Sequence, residues 1–266
     1  MILHEHKTIP YKYGNVFKIK PVFDVHLGNR YCDERAFKKY LDDSDDKTYF
    51  VIGGDLLDSV ITKDVKRYMK HSDATESDAI IDEQIDMAYE YLKPHEDRIL
   101  GIGSGNHENA ISKYCGTNPA RRLAKMLNTV SLGYSWILRL RFRMKAGRGR
   151  TVCIRGMHGW GGGSRTQGAD LTKYSKDISY WGNVQVFMYG HVHRNQFDRI
   201  DRLAWRGKGL VSEPKWILIC GTFLKTYSLS DEATYSEEKG YPPIAVGSPY
   251  LLVKPERIGI NIEVRT

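Results

Sequence analysis

Five short polar clusters, each closing an apolar run, constrain this chain more than its composition does. They read Asp24-Val25-His26, Gly53-Gly54-Asp55-Leu56-Leu57-Asp58, Gly105-Asn106-His107-Glu108, Met157-His158-Gly159 and Gly190-His191-Val192-His193. The runs that lead into them, residues 16–23, 49–52, 98–102, 151–154 and 184–188, have the length and apolar content of strands. A loop residue at a strand end is free for chemistry while the strand fixes its position. Ligands from several strand ends can then converge at one edge of a sheet.

The residue types in these clusters are metal ligands. Aspartate, asparagine and histidine together suit manganese, iron or zinc, because hard cations favour oxygen and borderline ones accept imidazole. Asp24 and His26 stand two residues apart, so both side chains leave the same side of an extended segment, and the same holds for His191 and His193. Asp55 has two oxygens with which to bridge two ions. The amide oxygen of Asn106 can ligate, and its glycine neighbour lets backbone approach closely. Taken singly, each cluster reads as an ordinary turn with a satisfied histidine or aspartate. Seven ligand-type residues in matching strand context, Asp24, His26, Asp55, Asn106, His158, His191 and His193, point instead to two divalent cations.

Between the clusters, helices are predicted near 33–41, over 62–92 with Ile80, Ile81, Ile85, Ala88, Tyr89 and Leu92 at helical spacing, and from the Asn118-Pro119 cap to about residue 127. Pro94 ends the second of these. Asp42-Asp43-Ser44-Asp45-Asp46 reads as a solvated turn; the glycine and glutamate of a calcium loop are missing. Residues 136–144 alternate strictly, putting Arg139, Arg141, Arg143 and Lys145 on one strand face. Further strands are expected at 216–220, 250–253 and 258–264, while 173–181 fits either helix or loop. Helices alternate with strands early and strands dominate later. The expected fold is α/β, two facing mixed β-sheets flanked by helices, as one domain over 1–266 with a helical insertion near 60–97 and C-terminal strands completing the second sheet.

Bulk properties set the partners. With 266 residues and 41% hydrophobic content the chain can bury a large core, and lysine plus arginine exceed acidic residues by 8, which favours a polyanionic partner. No stretch approaches the roughly 18 apolar residues of a membrane span. The N-terminal residues lack the apolar core of a secretory signal, so a cytoplasmic setting is expected. Cys32, Cys115, Cys153 and Cys220 are too scattered for a zinc knuckle or disulfide framework and read as reduced thiols.

The order of these blocks, D-x-H, GD, GNH, a lone His and GHxH from Asp24 to His193, resembles the calcineurin-like metallophosphoesterase superfamily. That resemblance implies a metallophosphoesterase-type sandwich. It places one metal on Asp24, His26, Asp55 and His193, and a second on Asp55, Asn106, His158 and His191. His107 then lies beside the metals and protonates the leaving group, with Asp58 orienting it. The expected cofactors are two divalent ions, Mn²⁺ first, with Fe, Zn, Ni or Mg as alternatives. The expected reaction is in-line attack on phosphorus by hydroxide formed between ions about 3.5–4 Å apart.

The substrate is less closely bounded. Ser59 follows Asp58 where related protein phosphatases carry arginine, whereas Glu108 matches the GNHE form common among phosphatases. The Arg139, Arg141, Arg143, Lys145, Arg148 and Arg150 series can contact successive phosphates, or else guard an edge strand against aggregation. The segment 235–249, with Glu238-Lys239-Gly240-Tyr241-Pro242-Pro243, resembles the ends of bacteriophage and prophage metallophosphoesterases. The leading expectation is a DNA phosphodiesterase or nuclease. The alternatives are a phosphomonoesterase and a non-catalytic scaffold of the same fold.

Overall fold

The computed structural model describes residues 1–6, 8–60, 80–145, 147, 149–228 and 233–266. Its elements run β1 (Ile2–Glu5), β2 (Ile9–Pro10), β3 (Phe17–Val22), α1 (Glu34–Asp42), β4 (Thr48–Ile52), α2 (Ile80–Leu92), β5 (Ile99–Gly103), α3 (Asn106–Cys115), α4 (Pro119–Met126) and β6 (Ser131–Gly133). They continue with β7 (Ser135–Arg143), β8 (Arg150–Met157), α5 (Ala169–Ser175), β9 (Val186–Tyr189), β10 (Asn195–Arg206), β11 (Gly209–Cys220), α6 (Tyr235–Glu238), β12 (Tyr250–Pro255) and β13 (Ile260–Arg265). The predicted helix over 62–92 is helical from Ile80; residues 62–79 lie outside the described residues.

Two mixed sheets face each other, as expected. One has the order β1-β7-β8-β9-β11-β10, with β2 also on β7, and the other β13-β12-β3-β4-β5-β6. In the second, β3, β4, β5 and β6 run parallel, and the C-terminal β12–β13 hairpin extends them antiparallel. In the first, β8, β9 and β11 are parallel.

Strand alternation builds three apolar layers from these two sheets. Val186 and Met188 of β9, with Leu218 and Cys220 of β11, point inward to meet Ile19, Val51 and Leu251 of the opposite sheet. Their neighbours Phe187, Tyr189, Ile217 and Ile219 point outward onto Tyr174 and Ile178. On the other side, Phe50, Ile52 and Ile102 pack beneath Phe37, Ile85 and Leu123 of the helices. Each sheet is thus apolar on both faces, the pattern of a sheet covered on both sides. Trp136 lies flat in the inter-sheet core because Gly156 opposite leaves room; a Cβ there would stand 2.0 Å from the indole.

Four departures from the sequence reading have physical causes. Strand β7 is not an edge: β1 and β2 pair along it on the side away from β8, so its arginines cannot be edge guards. Helix α3, unpredicted, begins at Asn106 and is stopped by Gly116 in the left-handed region. Strand β10, also unpredicted, pairs with β11 along its whole length from Asn195↔Cys220 to Arg206↔Gly209. The acidic turn after α1 is not wholly solvated: the buried Lys20 ammonium donates to the Asp43 carbonyl at 2.8 Å and meets its carboxylate at 3.2 Å.

Candidate metal centre

All five polar clusters lie at the C-terminal ends of parallel strands. Asp24 and His26 follow β3, Asp55 and Asp58 follow β4, and Asn106 and His107 open α3 after β5. His158 is the residue after β8, and His191 and His193 follow β9. Main-chain bonds knit these loops together: the His26 N–H donates to the Asp55 carbonyl at 3.1 Å and the Gly190 N–H to the His158 carbonyl at 2.8 Å.

The backbone at this edge is strained. Asp24, His26, Asp55, His191 and His193 have φ of 49°, 55°, 47°, 72° and 55°. Left-handed conformations cost a residue with a Cβ about 1–3 kcal/mol each and persist only where surrounding structure enforces them. Here they turn side chains back toward one another at the point where each strand ends.

The side chains so gathered form contiguous donor groups. Asp24, His26 and His193 offer ligand atoms all within 4.8 Å of one another, and so do Asp55, His158 and His191. His26 Nε2 is 3.3 Å from His193 Nε2, and Asp24 Oδ1 is 3.6 Å from that same nitrogen. His158 Nε2 is 3.0 Å from Asp55 Oδ2 and 3.0 Å from Asn106 Oδ1, and the same Asn106 oxygen is 2.8 Å from His191 Nδ1. Ligands held at about 2.1 Å around one ion stand about 3.0–3.4 Å apart, so these spacings suit a shared cation. Asp24 Oδ1 is buried with no hydrogen-bond partner among the described residues, and it sits 3.8 Å from His158 Nε2. A buried carboxylate oxygen left so is costly unless a cation or proton meets it.

The electrostatics point the same way. Burial, with the Asp55 charge beside it, pushes the Asp24 carboxyl up to about 7, against the pull of His158 and His26. Burial disfavours a charged His158, yet the Asp55 and Asp24 carboxylates hold its imidazole up at about 9. His193 falls the other way, well below the usual histidine value, through burial and the neighbouring His26. Protons now do part of the charge compensation that cations can do.

His107 and Asp58 are brought together, with the main chain of Asp58 making the hydrogen bond. His107 Nδ1 donates to the main-chain carbonyl of Asp58. The Asp58 carboxylate is 3.8 Å from that nitrogen, nearer to His26 Nδ1 at 3.4 Å, and accepts from Asn29 Nδ2 at 3.2 Å. The Asp58 carboxylate is thus hydrogen-bonded to Asn29 and stands closer to His26 than to His107. His107 also joins His26 and Asp55 in a third donor group, with its Nε2 3.8 Å from Asp55 Oδ2.

Sequence reasoning missed the scaffold beneath these groups. Glu108 is buried, and its carboxylate accepts from the N–H groups of Asp55 (3.0 Å), Leu57 (3.1 Å) and Gly105 (2.8 Å). The Gly105 contact is the return half of a capping box, a signal readable from a glutamate three residues past a helix start. Gln84 of α2, also buried, accepts from the Ser59 N–H at 2.9 Å and so pins the far end of the Asp55–Ser59 loop. Two glycines permit the closest approaches: a Cβ on Gly105 would stand 2.0 Å from Asp55 Oδ1, and one on Gly190 2.6 Å from Asp24 Oδ2.

The arginine strand is placed elsewhere. The register puts Ser135 opposite Met157, beside His158, and Phe142 opposite Arg150. Seven strand steps of about 3.3 Å separate Arg150 from Met157, so Arg141, Arg143 and Arg150 lie about 20 Å from the donor groups. Arg139 pairs with Glu5 and Arg150 with the carbonyl of Glu256. Arg148 lies outside the described residues. None of the described helices is long and apolar enough to cross a membrane.

No family model matches the chain, and no curated protein does. Among solved structures it is similar to Vps29 from Chaetomium thermophilum, at 14% identity over 94% of this chain and 96% of that one, with a TM-score of 0.37. A conserved uncharacterized protein from Streptococcus pneumoniae, a predicted phosphoesterase, matches at 12% identity over 94% and 99% of the two chains, TM-score 0.32. The NAD nucleotidase of Haemophilus influenzae matches at 9% identity over 96% of this chain and 50% of that one, TM-score 0.44. At such identities and scores the likeness says nothing of activity.

Replacing Glu108 by Ala strands three buried main-chain donors. Urea unfolding is expected to show a loss of about 3 kcal/mol or more, and Glu108→Gln, which keeps an acceptor oxygen, a smaller one. Equal losses for the two variants would remove Glu108 from its bracing role.

Proposed function

We propose that this protein is a dinuclear metal-dependent phosphoric ester hydrolase whose substrate is a phosphodiester of DNA. One observation carries the hydrolase reading: two donor groups, Asp24/His26/His193 and Asp55/His158/His191, lie side by side with the Asn106 oxygen on the second. In this reading Asp24, His26, Asp55 and His193 hold one ion and Asp55, Asn106, His158 and His191 the other. When bound, the pair supplies Lewis acidity toward phosphoryl oxygens and lowers the pKa of water. The mixed oxygen and nitrogen set suits Mn²⁺ first, and also Fe, Zn, Ni or Mg.

The chain's own residues then position and protonate. His107 is fixed through Nδ1 on the Asp58 carbonyl, and its protonated imidazole would deliver a proton to the leaving oxygen. Asp58 acts through two atoms, its carbonyl on His107 and its carboxylate on His26.

The DNA reading rests on charge and on the loops rather than on the arginine strand. The excess of 8 positive charges favours a polyanion. The loops that leave the proposed ligands carry Arg30 and Tyr31 after His26, Trp160 and Arg165 after His158, and Lys225 beside Tyr31. Trp160, 40% exposed, offers a face on which a base can stack.

With Mn²⁺, bis-p-nitrophenyl phosphate is expected to be cleaved faster than p-nitrophenyl phosphate, and labelled DNA to be cut. Rapid monoester turnover with no DNA cleavage makes the protein a phosphomonoesterase, and neither metal binding nor hydrolysis leaves it a scaffold. His107→Ala is expected to lower turnover by about 10²–10⁴-fold while elemental analysis finds the metals retained; loss of metal would make His107 a ligand instead.

Asp58→Asn keeps the main-chain acceptor of His107 but takes the charge from His26. Metal affinity is expected to fall by about 10-fold or more, with turnover at saturating metal changing less. The reverse pattern would put the carboxylate on His107.

The pH dependence of metal binding has a definite sign. With the metal-free His158 held at about 9, it carries a proton at pH 7–8 that a cation must displace. Affinity is expected to tighten by about 10-fold per pH unit for each proton released. Calorimetry in buffers of differing ionisation enthalpy reads the total release, and His158→Ala is expected to lower it; a release unchanged by His158→Ala would mean that His158 carries no displaced proton.

A further inference from the structure

Strand β10 ends the seven-stranded sheet, and among the described residues only β11 pairs with it. The β10–β11 hairpin outruns its support. Strand β9 pairs with β11 only from Trp216 to Ile219, so residues 200–215 continue as a two-stranded ribbon. Such a ribbon is marginal in water by itself, and a 12-residue open edge is a template for another strand. One face carries exposed apolar side chains around Arg199 and Asp201: Leu203 is 73% exposed, Trp205 69%, Leu210 64% and Phe197 40%. The register sets Trp205 opposite Leu210, and strand alternation places Phe197, Leu203 and Trp205 on that same face.

The order of charges along β10 selects its occupant. Charges on an edge strand ordinarily block pairing. Here Phe197-Asp198-Arg199-Ile200-Asp201-Arg202-Leu203 is complementary to itself when read backwards. Antiparallel pairing of two copies centred on Ile200 sets Arg199 against Asp201, Asp198 against Arg202, and Phe197 against Leu203, each twice by symmetry. Trp205 then lies diagonal to the other copy's Phe197, within reach of an aromatic ring. Centring the pair on Asp201 or Arg202 instead puts like charges face to face. Arg199 now bridges Asp201 of its own strand at 2.9 Å, and Arg202 donates to the Ile178 carbonyl at 3.4 Å. Both guanidiniums keep further donors free for a partner.

We propose that two copies of this chain associate edge to edge through β10, antiparallel about Ile200, so that one continuous sheet crosses the two-fold axis. The interface is isologous, and Phe197, Leu203 and Trp205 of each copy line up beside those of the other across the seam.

Sedimentation equilibrium tests this on the full chain. A dimer is expected at micromolar concentration, and a protein wholly monomeric at about 100 µM overturns the proposal. Asp198→Arg converts both symmetric Asp198–Arg202 contacts into repulsive ones, with dissociation expected to rise about 10-fold or more. Adding Arg202→Asp restores opposite charges and is expected to restore the dimer. Thermal melting followed by circular dichroism confirms that each variant is folded. A dimer unaffected by Asp198→Arg overturns the proposal, as does a folded double variant that stays dissociated.

Discussion

Asp55 ties the two sheets at the edge where the polar loops meet. Its N–H is held by Glu108 and its carbonyl by the His26 N–H. One carboxylate oxygen accepts from the His107 N–H at 2.9 Å, and the other stands 3.0 Å from His158 of the facing sheet. Asp24 does the same beside it: its Oδ2 accepts from the His191 N–H at 2.7 Å, and its carbonyl from Thr222 Oγ1 at 2.7 Å. Burial, with repulsion from Asp55 as a smaller contribution, drives Asp24 to about 7, while the surrounding histidines keep Asp55 ionised. The edge of the sandwich therefore concentrates buried carboxylates and histidines whose charges depend on one another.

Holding that arrangement needs a rigid frame. Left-handed turns at Asp24, His26, Asp55, His191 and His193 are unfavourable locally, and they persist because each follows a strand locked into a parallel ladder between apolar layers. Glu108 and Gln84 then fix the loop from Asp55 to Ser59 through its main-chain N–H groups. Stability and chemistry are separated in space: the packed layers supply the first and the strand ends carry the second.

The legible parts of the sequence were those with a local physical signature. Asp33 before α1 and Asn118-Pro119 before α4 cap helices through their own side chains, so both starts were readable. The parallel strands were readable as short apolar runs. Helix α3 was not, because its first residues are also site residues and polar chemistry masks helical period. Strand β10 was not, because its exposed ribbon has no buried face to impose alternation on residues 200–206. The edge role offered for the arginine strand failed because strand order is a long-range property: β1, more than a hundred residues earlier, covers that edge.

Residue type and apolar run length, both local, made the inventory legible: which donors exist and that each follows a strand. The convergence of the Asp-x-His and His-x-His pairs comes instead from left-handed backbone at Asp24, His26, His191 and His193, beyond the strand repeat. Tertiary packing set the rest: that Asp58 offers its carbonyl to His107 while its carboxylate lies nearer His26, and that Arg141 and Arg143 of β7 stand at the far end of the strand from the donors. These outcomes depend on loop conformation and sheet register, set by packing between segments far apart in the chain.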